Sequence, residues 1–314
     1  MKSRSFSALN MLSLLSKNII KTLAYYDIFS YPLKLEEIYH NLPINHCTVK
    51  EIESELNFLC EKGLVFRIDN FFLLQNNLEF VERRLKGNNL CDKRIKSAFR
   101  MSKFISKFPY VRAIFLTGSI SKGYMDKESD VDYLIVTEPN RLWVSKLFLT
   151  LFKKIFLLNS RKVFCINYYI DYEHLEIEEK NVFTATEIVT LVPVFGKKYY
   201  DEFYSKNIWI KEYFPNFPKR TNTMIDEKEN PVKKIFEKLL NNTFGDKIDD
   251  WAMKLFTTVT KRKFSHFDEK DFALAFKSTK CESKYHPKFF QKRVLVSFEE
   301  KLNRLQHSLN GSLN

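Results

Sequence analysis

One segment restricts the architecture of this chain more than any other. An apolar run, Val111 to Leu116, ends at Gly118-Ser119; a short polar stretch with Lys122 and Gly123 follows; a second apolar run, Val131 to Val136, has aspartates at Asp130 and Asp132. In a β-strand, residues i and i+2 share a face, so Asp130 and Asp132 are expected to converge on one point, backed by a buried strand. Two carboxylates aimed together are costly unless a cation neutralises them. Hard divalent cations with oxygen ligands suit such a pair, Mg²⁺ first and Mn²⁺ as a substitute. The Gly-Ser turn offers free backbone N–H groups and a hydroxyl to phosphate oxygens. A plain hairpin with a surface strand explains the pattern poorly, because aspartate is depleted in strands. A phosphate cradle beside paired carboxylates is the apparatus of metal-dependent phosphoryl or nucleotidyl transfer.

The typed positions read Gly118-Ser119-x-Ser121-Lys122-Gly123, five further residues, then Ser129-Asp130-x-Asp132. This resembles the signature of the DNA polymerase β-like nucleotidyltransferase superfamily. It looks most like small bacterial predicted nucleotidyltransferases that carry an N-terminal winged-helix module. The match covers about residues 110 to 137 directly. The resemblance implies an α/β (α+β) fold, with a short mixed sheet, flanking helices and a helical C-terminal region. It also implies residue roles: Asp130 and Asp132 as catalytic metal ligands, and Gly118, Ser119, Lys122 and Ser129 as nucleotide-binding residues. The implied reaction moves an NMP from an NTP to a hydroxyl acceptor and releases pyrophosphate.

The 314 residues, 45% hydrophobic, suffice for two or three domains with a proper core. A net charge of +13 fits a polyanionic partner, nucleotide or nucleic acid, and equally an evenly spread lysine-rich surface. The five cysteines are scattered without a Cys-x-x-Cys, so neither a zinc site nor a disulfide framework is expected. No signal-peptide core and no run of 18 apolar residues occurs, which points to a cytoplasmic protein without a membrane partner.

Residues 1–78 read as three helices and a β-hairpin, a winged helix-turn-helix. Thr48 and Glu51 stand at capping-box spacing before the third helix. That helix holds Glu51, Glu53, Glu55 and Glu61 against Lys50 and Lys62. An acidic helix is a poor reader of a phosphate-lined groove. The unit is therefore expected to contact protein or substrate, including as a homodimer element, rather than DNA. Residues 79–108 read as a basic linker and helix, interrupted at Gly87-Asn88-Asn89. Residues 109–220 hold the core: strand, motif loop, strand, helix and strand, then helices through 181–220. Residues 221–314 read as mostly helical, with a long pattern from Pro231 to Lys263 broken at Gly245 and a last helix from about Gln291 to Leu309. That region is expected to bind the acceptor or close as a lid. A basic cluster within it (Lys277, Lys280, Lys284, His286, Lys288) is read as a solvated loop.

The third core strand, about 163–171, decides the chemistry. Simple alternation puts Cys165, Asn167, Tyr169 and Asp171 on one face. The resembling transferases usually carry a third carboxylate here, as metal ligand and general base. Asn167 occupies the strand centre instead. Asp171 lies about 13 Å further along at strand rise, and is the expected third catalytic residue. Three alternatives stay open: a base from Asp171, Glu173 or Glu187; an acceptor that needs no protein base; and an NTP-binding regulator that does not catalyse.

Overall fold

The computed structural model describes residues 12–160, 162–221 and 230–308. The N-terminal unit runs α1 (Leu14–Asp27), β1 (Leu33–Lys34), α2 (Leu35–Asn41), α3 (Val49–Glu61), β2 (Phe66–Ile68) and β3 (Phe71–Leu73). Its strands form an antiparallel sheet in the order β1-β3-β2. The start of α3 is fixed as its sequence requires. Glu51 N–H donates to Thr48 Oγ1 and Thr48 N–H donates to Glu51 Oε2, two otherwise orphaned groups satisfied together. Ile19, Leu23, Ile38, Ile52, Leu56 and Leu59 form the core of this unit.

Helix α4 (Leu78–Ile105) follows without a break. The interruption expected at Gly87-Asn88-Asn89 is absent, and the reason is contact with the motif loop. A Cβ on Gly87 would come within 2.1 Å of the Tyr124 ring, so glycine is required by close approach. Asn88 Nδ2 donates to Gly123 O at 2.5 Å, and Arg94 donates to Ser129 O at 2.9 Å. Weak local helix propensity is thus offset by tertiary partners, and the basic helix acts as a brace.

The core then runs β4 (Val111–Thr117), α5 (Gly118–Ser121), β5 (Asp132–Thr137), α6 (Leu142–Phe156), β6 (Cys165–Asp171), α7 (Val182–Thr190), β7 (Val192–Phe195), α8 (Lys197–Lys206) and α9 (Ile210–Tyr213). It continues with α10 (Pro231–Leu240), α11 (Thr243–Lys263), α12 (Glu269–Ala275), β8 (Phe276–Ser278), β9 (Glu282–Tyr285) and α13 (Phe290–Ser308). Leu309, the expected end of the last helix, lies outside the described residues. Six strands form one sheet in the order β7-β4-β5-β6-β9-β8. Only β5 and β6 pair in parallel, with α6 as their crossover. One face of the sheet carries Ile114, Leu116, Tyr133, Ile135 and Tyr169 and packs on α4, α6 and α11. The other carries Phe115, Leu134, Val136 and Ile170 and packs on α7, α8 and α9.

Three expectations need correction. The stretch 191–196 is not helix: Val192–Phe195 is the edge strand β7. The helix break lies at 241–242 rather than at Gly245. Asn242 caps α11, accepting from Phe244 and Gly245 N–H, and a Cβ on Gly245 would press to 1.8 Å from Leu240 O. The glycine therefore permits the tight turn rather than ending the helix. Third, the basic stretch read as a solvated loop lies largely in a hairpin, while the described part of 221–314 is otherwise mostly helical. The β8–β9 hairpin joins the sheet through β6. Its lysines are paired, Lys277 with Glu178 and Glu282, and Lys284 with Glu179. Helix α13 returns to the N-terminal unit, where Val294, Phe298 and Leu305 enter its core.

Candidate active site

The site is built where β4 ends and β5 begins. Thr117 pairs with Asp132 in antiparallel register, and Asp132 pairs with Cys165 on the other side. Asp132 therefore sits on the central strand, on the face that α7 covers. Gly118 follows β4 with φ +67, a left-handed conformation that favours glycine. A Cβ there would meet Asp132 Oδ2 at 2.6 Å. The Gly-Ser turn thus lies directly against the carboxylate. Burial pushes the Asp132 carboxyl up to about 7, and the charges of Asp130 and Glu187 push the same way. Asp130 is partly buried and close enough for its charge to act on Asp132.

Asn167 Nδ2 donates to Asp132 Oδ1 at 2.8 Å. The reason it reaches there is a bulge. Tyr133 pairs with Ile166 and Leu134 with Tyr168, so Asn167 is an extra residue on β6. The bulge reverses strand parity after Asn167. Tyr169 then packs on the α6 side and Ile170 on the α7 side. The face-sharing expected for Cys165, Asn167, Tyr169 and Asp171 is therefore broken. Asp171 is buried at the far end of β6, paired with Thr137, about 17 Å along the strand from Asp132 and on the opposite face. It accepts from Glu173 N, His174 N and His174 Nδ1, closing a strand-end turn. The structure does not bring Asp171 or Glu173 to the other site residues.

It does bring Glu187. Helix α7 lays Glu187 over the Gly-Ser turn, where Oε1 pairs with Lys122 Nζ at 2.7 Å and Oε2 accepts from Gly118 N at 3.3 Å. Lys122 Nζ also donates to Gly118 O at 3.1 Å. The sequence held a signal for this: Glu187 is the single charged residue of the nine in Val182–Thr190. Ser119 stands in the α5 turn, its carbonyl accepting from Lys122 N and Tyr124 N. Ser129 is engaged within its own turn. Its hydroxyl exchanges hydrogen bonds with Asp126, Oγ to Oδ1 at 2.8 Å and from Asp126 N at 2.9 Å.

Among the described residues, no group of three or more His, Cys, Asp or Glu side chains could hold a metal ion. A pair of carboxylates nevertheless fits Mg²⁺, which is commonly held by one or two carboxylates and completed by substrate phosphates and water. The all-oxygen donors suit a hard divalent cation.

A family model described as a nucleotidyltransferase domain matches residues 100–308, well over half of the chain. The chain belongs to the nucleotidyltransferase domain family. The matched span of this nucleotidyltransferase domain runs from the C-terminal part of α4 to the end of α13. It therefore includes the β8–β9 hairpin and leaves the N-terminal unit outside. Comparison with curated proteins and with solved structures found no match. No helix among the described residues is long and apolar enough to cross a membrane.

Proposed function

We propose that this nucleotidyltransferase domain catalyses metal-dependent transfer of an NMP from an NTP to a hydroxyl acceptor. The observation that carries the reading is the contact of the Gly118 turn with Asp132, a largely buried carboxylate beside Asp130 and Lys122. Asp130 and Asp132 would hold Mg²⁺, or Mn²⁺ in its place. When bound, the cation supplies charge neutralisation at the phosphate oxygens. Gly118 N–H and the Ser119 hydroxyl bind oxygens of the β- and γ-phosphates. Lys122 offsets the charge that grows on the leaving group. The acceptor oxygen forms its bond to the α-phosphorus as the α–β bridging P–O bond breaks, so pyrophosphate leaves and the hydroxyl proton passes to a base. The five cysteines are free thiols, which fits a reducing, cytoplasmic setting. The N-terminal unit has the element order of a winged helix, and we read it as a protein- or substrate-contacting module because the face of α3 is acidic.

The test is incubation of the protein with Mg²⁺, α-labelled NTPs and cell extract, followed by separation of protein, RNA and small molecules. Label should enter one fraction and disappear in Asp130→Asn/Asp132→Asn. Transfer that survives in that double variant, with its melting behaviour unchanged, would sink the assignment. A second reading, an NTP-binding regulator without catalysis, is favoured by Asn167 donating to Asp132 where a third carboxylate would stand. It expects Mg²⁺-dependent NTP binding with no pyrophosphate released. A third, duplex DNA binding, expects a salt-sensitive gel shift, which the acidic α3 argues against.

A further inference from the structure

The two donors assigned to phosphate are already engaged by a carboxylate of this chain. Lys122 Nζ is held by Glu187 Oε1 at 2.7 Å and Gly118 N–H points to Glu187 Oε2 at 3.3 Å. Both partners of the ion pair are about three-quarters buried. A carboxylate and a phosphate make the same demand, an anionic oxygen fork facing N–H donors. The two cannot occupy these donors together.

We propose that Glu187 is an internal stand-in for the triphosphate, a positioning residue that occupies the phosphate seat and must yield it when nucleotide binds. The inference rests on the nucleotidyltransferase reading above. Two anchors hold the stand-in in place. Behind Glu187, the start of α7 is fastened to the N-terminal unit, with Val182 and Phe183 packed against its core. Behind Lys122, the Tyr31 hydroxyl of the same unit donates to the Lys122 carbonyl at 3.2 Å. One module thus supports both sides of the pair.

The arrangement has a selective consequence. With no nucleotide, Glu187 keeps Lys122 and Gly118 N–H paired and in position. A ligand must bring enough negative charge to displace it. The polyphosphate end of an NTP meets that condition better than the single phosphate of an NMP. Glu187 therefore sets a threshold that favours triphosphates over monophosphates.

Calorimetric titration with inorganic tripolyphosphate and Mg²⁺ reads this without any acceptor. Glu187→Gln keeps the side-chain shape and removes the charge, and Glu187→Ala removes the fork altogether. Both should bind tripolyphosphate about three- to tenfold more tightly than the unmodified chain. A residue with a merely structural or metal-holding role would weaken binding on removal. Equal or weaker binding in the variants, with cooperative melting retained, overturns the stand-in. If neither the unmodified chain nor the variants bind tripolyphosphate, the nucleotide reading itself fails, which is a separate result.

Discussion

At the scale of single residues, the site is a set of contacts too close to tolerate change. Gly118 combines φ +67 with Asp132 Oδ2 only 2.6 Å from where a Cβ would be. Gly118→Ala is therefore expected to lose about 1–3 kcal/mol of stability and to abolish tripolyphosphate binding; a urea midpoint and the same calorimetry check both. Asn167 raises the opposite question, what a restored carboxylate would do. In Asn167→Asp, the donor to Asp132 is replaced by a like charge. The variant should melt at a lower temperature in chelator and recover more than the unmodified chain when Mg²⁺ is added. An identical Mg²⁺ response in both proteins would count against cation binding at this pair. The grouping of Gly118, Lys122, Asp130 and Asp132 was legible in sequence because they lie within fifteen residues of one another. The placement of Asp171 was not legible. A one-residue bulge at Asn167 reverses which face a residue joins, and nothing in the alternation of Cys165 to Asp171 announces it.

At the scale of elements, helices are completed by groups far away in sequence. Helix α6 begins at Leu142 without a side-chain cap of its own. Asp249 on α11 supplies it, its Oδ1 accepting from Trp143 and Val144 N–H at 2.9 Å each. Burial pushes the Asp249 carboxyl up to about 6, although these N–H groups and Lys280 pull it down. The folded state therefore binds this proton more tightly than the unfolded chain, where a carboxyl titrates near about 4. Stability from this group is fully present below pH ~4 and is lost as pH rises through about 6, on the order of 3 kcal/mol in all. Asp249→Asn keeps an acceptor for both N–H groups and carries no charge. It should reduce the pH 4–6 slope of the urea midpoint, leaving the part that the raised Asp132 carboxyl contributes, and raise the midpoint at pH 7. A variant with the original slope would assign that pH dependence elsewhere.

At the scale of the whole molecule, chain order and spatial order diverge. Periodicity within 111–171 reads as alternating strand and helix because β4, β5, α6 and β6 are each six residues or longer and the strands that follow one another in sequence pair in space. The pairing of β6 with β9 has neither property. β9 is four residues long, carries Lys284 and lies more than a hundred residues after β6, so it looks like a charged loop until Lys284 faces Tyr168 in register. This matters for where the chain can be cut. If residues 221–314 were a detachable lid, a fragment of residues 1–220 would keep the sheet and the cradle. In the structure that cut removes the hairpin that pairs with Tyr168, Tyr169 and Ile170 and leaves that side of β6 open. It also removes Phe298 and Val294 from the N-terminal core and Asp249 from the start of α6. β6 would then be an uncovered edge strand, still paired with β5 on its other side, and such an edge is a template for edge-to-edge association. The 1–220 fragment is therefore expected to be insoluble, or to lack a cooperative melt, whereas the full chain melts cooperatively. A soluble fragment that melts in one transition and still binds tripolyphosphate would show instead that the β8–β9 hairpin and α13 are accessories to a core complete without them.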